Sequence, residues 1–261
     1  MQFRPNRRLF LDVAALVRQT VNMLNAMGSG ARRDDAVLAA IGDVHGCADL
    51  LRRLIERVEE RFAGRRLRFV LLGDYVDRGP DSRGVLDALL ALRARRPDSV
   101  FLKGNHEQAM LDFLGAGEAA AAWLHWGGEE TLASYGVSAA PPLEPAELQM
   151  RLAEALPDVH FALLMDLPLF HREGRYLFVH AGLNPERPLE EQEERDLLWI
   201  RDAFYRKGKN RFGDLVVVHG HTPVPTPEDL SWRVNVDTGA VWSSRLSALC
   251  LDGEERIFLS T

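Results

Sequence analysis

Histidine, aspartate and glycine recur together along this chain in groups that suit metal-assisted hydrolysis. The groups are Gly42-Asp43-Val44-His45-Gly46, Gly73-Asp74-Tyr75-Val76-Asp77-Arg78-Gly79, Gly104-Asn105-His106-Glu107, His180-Ala181-Gly182 and His219-Gly220-His221-Thr222. Taken singly, each has an ordinary explanation. An Asp after a strand is commonly a turn or cap residue, and a lone His is commonly a surface or satisfied core residue. The repetition carries the weight: His45, His106, His180, His219 and His221, five of the eight histidines, stand at the ends of apolar stretches beside Gly and carboxylates. Mixed imidazole, carboxylate and amide donors suit Mn²⁺, Fe or Zn²⁺ better than Ca²⁺ or Mg²⁺. A carboxylate shared by two cations about 3.5–4 Å apart is a common arrangement for hydrolysing phosphate esters. The glycines allow the sharp turns that bring such donors together.

Elements must deliver these groups to one place. Short apolar runs at 36–41, 67–72 and 99–102 each end in one of the groups, and helical spacing of apolar residues follows at 49–62 and again from Asp81 or Ser82, either of which can cap a helix. This rhythm predicts a mixed α/β fold with a parallel sheet covered by helices, whose strand ends hold the ligands. Strand patterns resume at 176–179, 214–218, 233–236, 246–251 and 256–259, with Asp252-Gly253 as a hairpin turn between the last two. Residues 107–166 show no comparable strand signal and read as a helical insert in a domain spanning 34–261. Such an insert is a natural place for substrate selectivity. Residues 1–33 are basic, with apolar residues at helical spacing. An amphipathic helix there is expected to pack on the domain or a partner subunit; an acidic membrane surface and a transit-like segment are the other readings.

Bulk properties narrow the partners. A net charge of −6 argues against nucleic acid as a general partner, but a local cationic site can still hold a phosphate ester. Cys47 and Cys250 have no CxxC spacing and read as two buried thiols of a reducing, cytoplasmic compartment. No apolar run approaches the roughly 18 residues of a membrane span, and no signal peptide is expected.

The five groups, in this order, resemble the signatures of the phosphoprotein phosphatase (PPP) branch of the calcineurin-like metallophosphoesterases, in particular the bacterial serine/threonine protein phosphatase type. The resemblance covers about residues 36–245. It implies a β-sandwich of two mixed sheets flanked by helices. It also implies two divalent metal ions, Mn²⁺ above all, with Asp43 and His45 on the first, Asp74 bridging, and Asn105, His180 and His221 on the second. His221, in the Gly-His-Thr position, is the implied ligand, and His219 is then a neighbour of the site. A hydroxide held between the metals would attack phosphorus in line. Arg78, Arg201 and Asn105 would hold the phosphoryl group, His106 would protonate the leaving oxygen, and Asp77 would orient His106. The implied substrate is phosphoserine or phosphothreonine in proteins, with dinucleoside polyphosphates or another small phosphate ester as the alternative. An inactive phosphate-binding module would lack some of these residues, and none is missing.

Overall fold

Alternation along the first strand sets the layer order. In β1 (Val37–Ile41), Val37, Ala39 and Ile41 pack into one apolar cluster and Leu38 and Ala40 into another, the two-residue period of extended chain. Both faces of the strand are therefore covered. The structure is a computed structural model that describes residues 35–116, 121–138 and 143–261. The predicted N-terminal helix lies outside the described residues, as do residues 117–120 and 139–142 of the predicted helical insert.

The fold is mixed α/β, with two mixed sheets flanked by helices. The first sheet runs β10-β9-β1-β2-β3, with β2 (Leu67–Leu71) and β3 (Val100–Phe101) parallel to β1, and β9 (Ser247–Asp252) and β10 (Glu255–Ser260) forming an antiparallel hairpin beside it. The predicted turn joins that hairpin, with Gly253 at φ 62°. The second sheet runs β4-β5-β6-β8-β7. In it β5 (Tyr176–Val179), β6 (Val216–His219) and β8 (Arg233–Asn235) are parallel, while β4 (Phe170–Glu173) and β7 (Glu228–Asp229) are antiparallel edges.

Leu38, Ala40, Val70 and Leu72 of the first sheet meet Phe178, Val216, Val218 and Val234 of the second across a buried interior. The outer face of the first sheet packs on α1 (Ala48–Arg61) and α2 (Ser82–Arg95) through Leu51, Leu54, Val58, Val85 and Leu89. Asp81 caps α2, its Oδ1 accepting from Gly84 N at 2.8 Å. The outer face of the second sheet is covered by Leu197 and Phe204, from α7 (Glu194–Trp199) and α8 (Asp202–Lys207). Removing one such side chain, for instance by Leu54→Ala, costs about 2–5 kcal/mol.

Between β3 and β4 come α3 (Asn105–Ala116), a π-helical turn (Leu124–Gly128), α4 (Glu129–Ser134), α5 (Pro145–Ala155) and α6 (Asp158–Met165). The strand β4 is absent from the sequence reading. Its residues, Phe-His-Arg-Glu, make no apolar run, because an edge strand keeps its charges in solvent. There Glu173 accepts a two-pronged bond from Arg68 of β2, 2.8 Å at each nitrogen, which ties the two sheets together. One expectation about the thiols fails. Cys250 is buried, but Cys47 is partly exposed because it sits at the N-terminal end of α1, where the chain leaves the interior.

Candidate metal centre and its acid–base pair

Strands β1, β2 and β3 from one sheet, and β5 and β6 from the other, all release their C-terminal residues at one end of the sandwich. Bonds between the sheets hold this end together. His180 Nδ1 donates to Leu72 O at 2.9 Å, and His221 N donates to Asp43 Oδ2 at 3.1 Å. The structure thus brings Asp43, His45, Asp74, Asn105, His106, His180 and His221 into one buried cluster.

Strained backbone marks His45, Asp74 and His221 of this cluster and two residues of the loop after Asp74. Non-glycine positions with positive φ include His45 (44°), Asp74 (52°), Asp77 (73°), Arg78 (66°) and His221 (66°). Each such conformation costs on the order of 1–3 kcal/mol, and such residues gather where function needs them. Two glycines make room for the carboxylates: a Cβ at Gly104 would overlap Asp74 Oδ1, and one at Gly220 would overlap Asp43 Oδ1.

Asp74 divides the site. Its Oδ2 lies 3.4 Å from His45 Nε2 and 4.0 Å from His106 Nε2, and its Oδ1 lies 3.5 Å from His180 Nε2. Among the described residues, two groups of metal-capable donors result, His45–Asp74–His106 and Asp74–His180–His221, with Asp74 in both.

Hydrogen bonds fix which histidine atoms carry protons. His45 Nδ1 is 2.9 Å from Val76 O, and His180 Nδ1 is likewise spent on Leu72 O, so both Nε2 atoms present lone pairs to Asp74. His180 Nε2 is also 2.9 Å from Asn105 Oδ1 and 3.2 Å from His221 Nδ1. Burial keeps these rings neutral, pushing His45 down to about 3 and His221 to about 2 and lowering His180. His180 Nε2, Asn105 Oδ1 and Asp74 Oδ1 converge as acceptors, which is what a cation satisfies, while the lone pair of His45 Nε2 meets an N–H of Arg78 at 2.7 Å. The two carboxylates differ: burial, then the charges of Asp237 and Asp74, raise Asp43 well above the usual range, whereas at Asp74 burial is outweighed by the surrounding histidines, which lower the carboxyl. The donor set therefore fits a pair of divalent cations.

His106 and Asp77 form a second unit. His106 Nδ1 donates to Asp77 Oδ2 at 2.6 Å. Burial opposes a proton on His106, but the carboxylates of Asp74 and Asp77 outweigh it and raise the imidazole above its ordinary value. Asp77 also accepts from Trp123 Nε1 at 2.8 Å and Thr131 Oγ1 at 2.7 Å, so the helical block after β3 braces it.

The two arginines lie at the rim. Arg78 Nη1 donates to His45 Nε2 at 2.7 Å, and its guanidinium sits over the Trp242 ring, 5.3 Å from the centroid. Arg201 is exposed, with Nη1 3.4 Å from Oγ1 of Thr222, the residue after His221. His219 is held apart from this cluster. Its ring packs in β6 against Phe204 and Tyr205, and burial pushes it down to about 3.

Sequence reasoning missed several contributors. Glu107 accepts from the backbone N–H groups of Asp74 (2.8 Å), Tyr75 (2.7 Å), Val76 (3.2 Å) and Gly104 (2.8 Å), tying the loop after β2 to the end of β3. Burial and the charge of Asp74 push its carboxyl up to about 7 against those four donors. Asp237, following β8, is buried beside Asp43, and burial pushes it up to about 6. Its signal was present, a carboxylate just past an apolar strand with Gly239 after it. Thr131 and Trp123 carry no such signal, because only the packing of the helical block aims them at Asp77.

The sequence profile of the family described as "Calcineurin-like phosphoesterase" matches residues 36–245, a span that contains every strand end of the site. The chain belongs to the calcineurin-like phosphoesterase family. It is accordingly a metallophosphoesterase, a hydrolase of a family that works with divalent metals. Among its relatives is the bis(5'-nucleosyl)-tetraphosphatase PrpE [asymmetrical] of Bacillus thuringiensis, 29% identical over 232 residues, covering 80% of this chain and 88% of that one. Another is the serine/threonine-protein phosphatase 1 of Salmonella typhimurium, 32% identical over 210 residues, covering 79% and 88%. A solved serine/threonine phosphatase from Saccharomyces cerevisiae superposes with a TM-score of 0.60 over 99% of this chain and 90% of its own, at 16% identity. A metallophosphoesterase from Sphaerobacter thermophilus gives 0.51 over 87% and 89%, at 18% identity. These two likenesses bear on the fold alone. Among the described residues no helix is long and apolar enough to cross a membrane.

Proposed function

We propose that this phosphoesterase hydrolyses its substrate by direct in-line attack at phosphorus, without a phosphoenzyme, with Asp74 placed so that it would serve two divalent cations. The observation that carries the reading is the division of the Asp74 oxygens between two donor groups. Asp43 and His45 would hold one cation, and Asn105, His180 and His221 the other. Mn²⁺, Fe and Zn²⁺ all fit this donor set, and the family resemblance puts Mn²⁺ first. Bound there, the cations supply Lewis acidity and a nucleophile drawn from water near neutral pH.

The remaining work falls to the chain. Asp77 fixes the proton on His106 Nδ1, which leaves Nε2, 4.0 Å from Asp74 Oδ2, to deliver a proton to the departing oxygen. Arg78 and Arg201 hold phosphoryl oxygens through planar guanidinium forks, with Asn105 beside them. The helical block between β3 and β4 shapes what reaches the centre.

For the substrate, the wording Asp-Tyr-Val-Asp-Arg-Gly leads to phosphoserine or phosphothreonine, and likeness to the Salmonella phosphatase supports it. A second reading, a dinucleoside polyphosphate, is supported by the PrpE relatives and by the exposed tryptophans at the rim. The test of the reaction itself is to strip the protein of metal and restore Mn²⁺ with 4-nitrophenyl phosphate as substrate. Metal-dependent release of phosphate is expected, and its absence would sink the reading.

A further inference from the structure

We infer that Trp126, backed by Trp199, is a stacking platform for a nucleobase of the substrate and so sets specificity at the metal centre; this rests on the phosphohydrolase reading above. Among the described residues, the large apolar side chains left exposed are Trp126 (43%), Met150, Val159, Trp199 (39%), Leu230 and Trp242 (64%). Half of them are tryptophans, and all three tryptophans touch the rim of the site. An indole offers more apolar area than any other side chain, and it is costly to leave in water unless something covers it.

The rings form a path outward from the metal donors. The edge-to-face contact of Trp199 with His221 has centroids 6.2 Å apart, and that of Trp126 with Trp199 has centroids 5.4 Å apart at 69°. An edge-to-face contact covers at most one face of an indole, and the 43% exposure of Trp126 leaves ring surface open to a ligand. Its position is fixed from the other side as well, because Arg78 N donates to the carbonyl of the next residue, Gly127, at 3.1 Å. Trp126 thus stands two ring contacts from a metal donor and one residue from a phosphate-binding candidate. A nucleoside phosphate has that shape, a phosphate at the centre and a flat base one ribose away. Every base has a π-face, so such a platform selects nucleotides without selecting one base.

The test compares full-length wild type, Trp126→Ala and Trp126→Phe, each loaded with Mn²⁺. The substrates are diadenosine tetraphosphate, a phosphothreonine peptide without aromatic residues, and glycerol 2-phosphate. The ratio of kcat/KM for the dinucleotide to that for glycerol 2-phosphate is expected to fall about 5- to 150-fold in Trp126→Ala, the range base–aromatic stacking spans. Most of it should return in Trp126→Phe, which keeps an aromatic face. An unchanged ratio overturns the inference. So does a selective loss on the phosphopeptide, or an equal loss in the Ala and Phe variants, which would mark Trp126 as packing only. If wild type hydrolyses glycerol 2-phosphate but not the dinucleotide, the inference fails and the reaction reading stands. If no substrate shows metal-dependent turnover, the reaction reading itself fails.

Discussion

Asp74 Oδ2 faces His45 Nε2 at 3.4 Å while Asp74 Oδ1 faces His180 Nε2 at 3.5 Å, so one carboxylate serves both halves of the centre. The two histidines come from different sheets. Asp74 is therefore the point where the sandwich closes on its chemistry, and its positive φ of 52° is the conformation that turns the carboxylate inward between them.

The acid–base unit makes the first prediction. His106→Asn should lower kcat by roughly 10²-fold or more, the size of a lost general acid, with metal content unchanged. The loss should be larger on glycerol 2-phosphate than on 4-nitrophenyl phosphate, whose leaving group needs little protonation. Equal losses on the two esters would remove His106 from the acid position.

Asp77 depends on the helical block. Thr131→Val and Trp123→Phe each delete a donor to a buried carboxylate, a change that costs about 1–3 kcal/mol. Each should lower Tm and reduce kcat several-fold while moving KM less. Thermal melts and steady-state kinetics check this. Unaltered kcat in both variants would mean that His106 is oriented without the block.

The rim arginines make a KM prediction. Arg201→Ala should raise KM for phosphate esters about tenfold, and Arg201→Lys should recover little of it, because an ammonium cannot reproduce the planar fork. A wild-type KM in the Ala variant would return Arg201 to the surface.

Stability against acid has a local component at the join between the sheets. The hydrogen bond from His171, with Arg68 adding to it against burial, lowers Glu173 from 4.5 to about 2. The folded carboxylate thus stays ionised at a pH where the unfolded one is protonated. Its contribution is complete above pH 4.5 and is lost as pH falls toward 2. Metal-free Glu173→Gln should lose stability less steeply than metal-free wild type across that window in urea titrations. Parallel curves would place the interaction's weight elsewhere.

How much of this was legible in the sequence follows from the physics of each residue. Strands β1, β2, β5, β6, β8 and β9 announced themselves because they are largely buried, and the less buried edge strands β3 and β10 because their runs are apolar. Asp43, His45, Asp74, Asn105, His106, His180 and His221 were legible because polar residues at the ends of buried strands need a reason to be there. The edge strands β4 and β7 were not, since Phe-His-Arg-Glu and Glu-Asp make no apolar run. Glu107 stood inside a recognised motif, but its role depends on four backbone N–H groups whose convergence only the folded loops create. Thr131 and Trp123 act on Asp77 across 54 and 46 residues of chain, a relation no local pattern encodes.

If Asp74 joins two cations, the metal content of the protein depends on it. Wild type and Asp74→Asn would be loaded with Mn²⁺, freed of excess ion and measured by elemental analysis, with circular dichroism to establish that both are folded. Two ions per wild-type chain and loss of both from a folded Asp74→Asn are expected. Two ions retained by the variant would contradict the bridging role of Asp74.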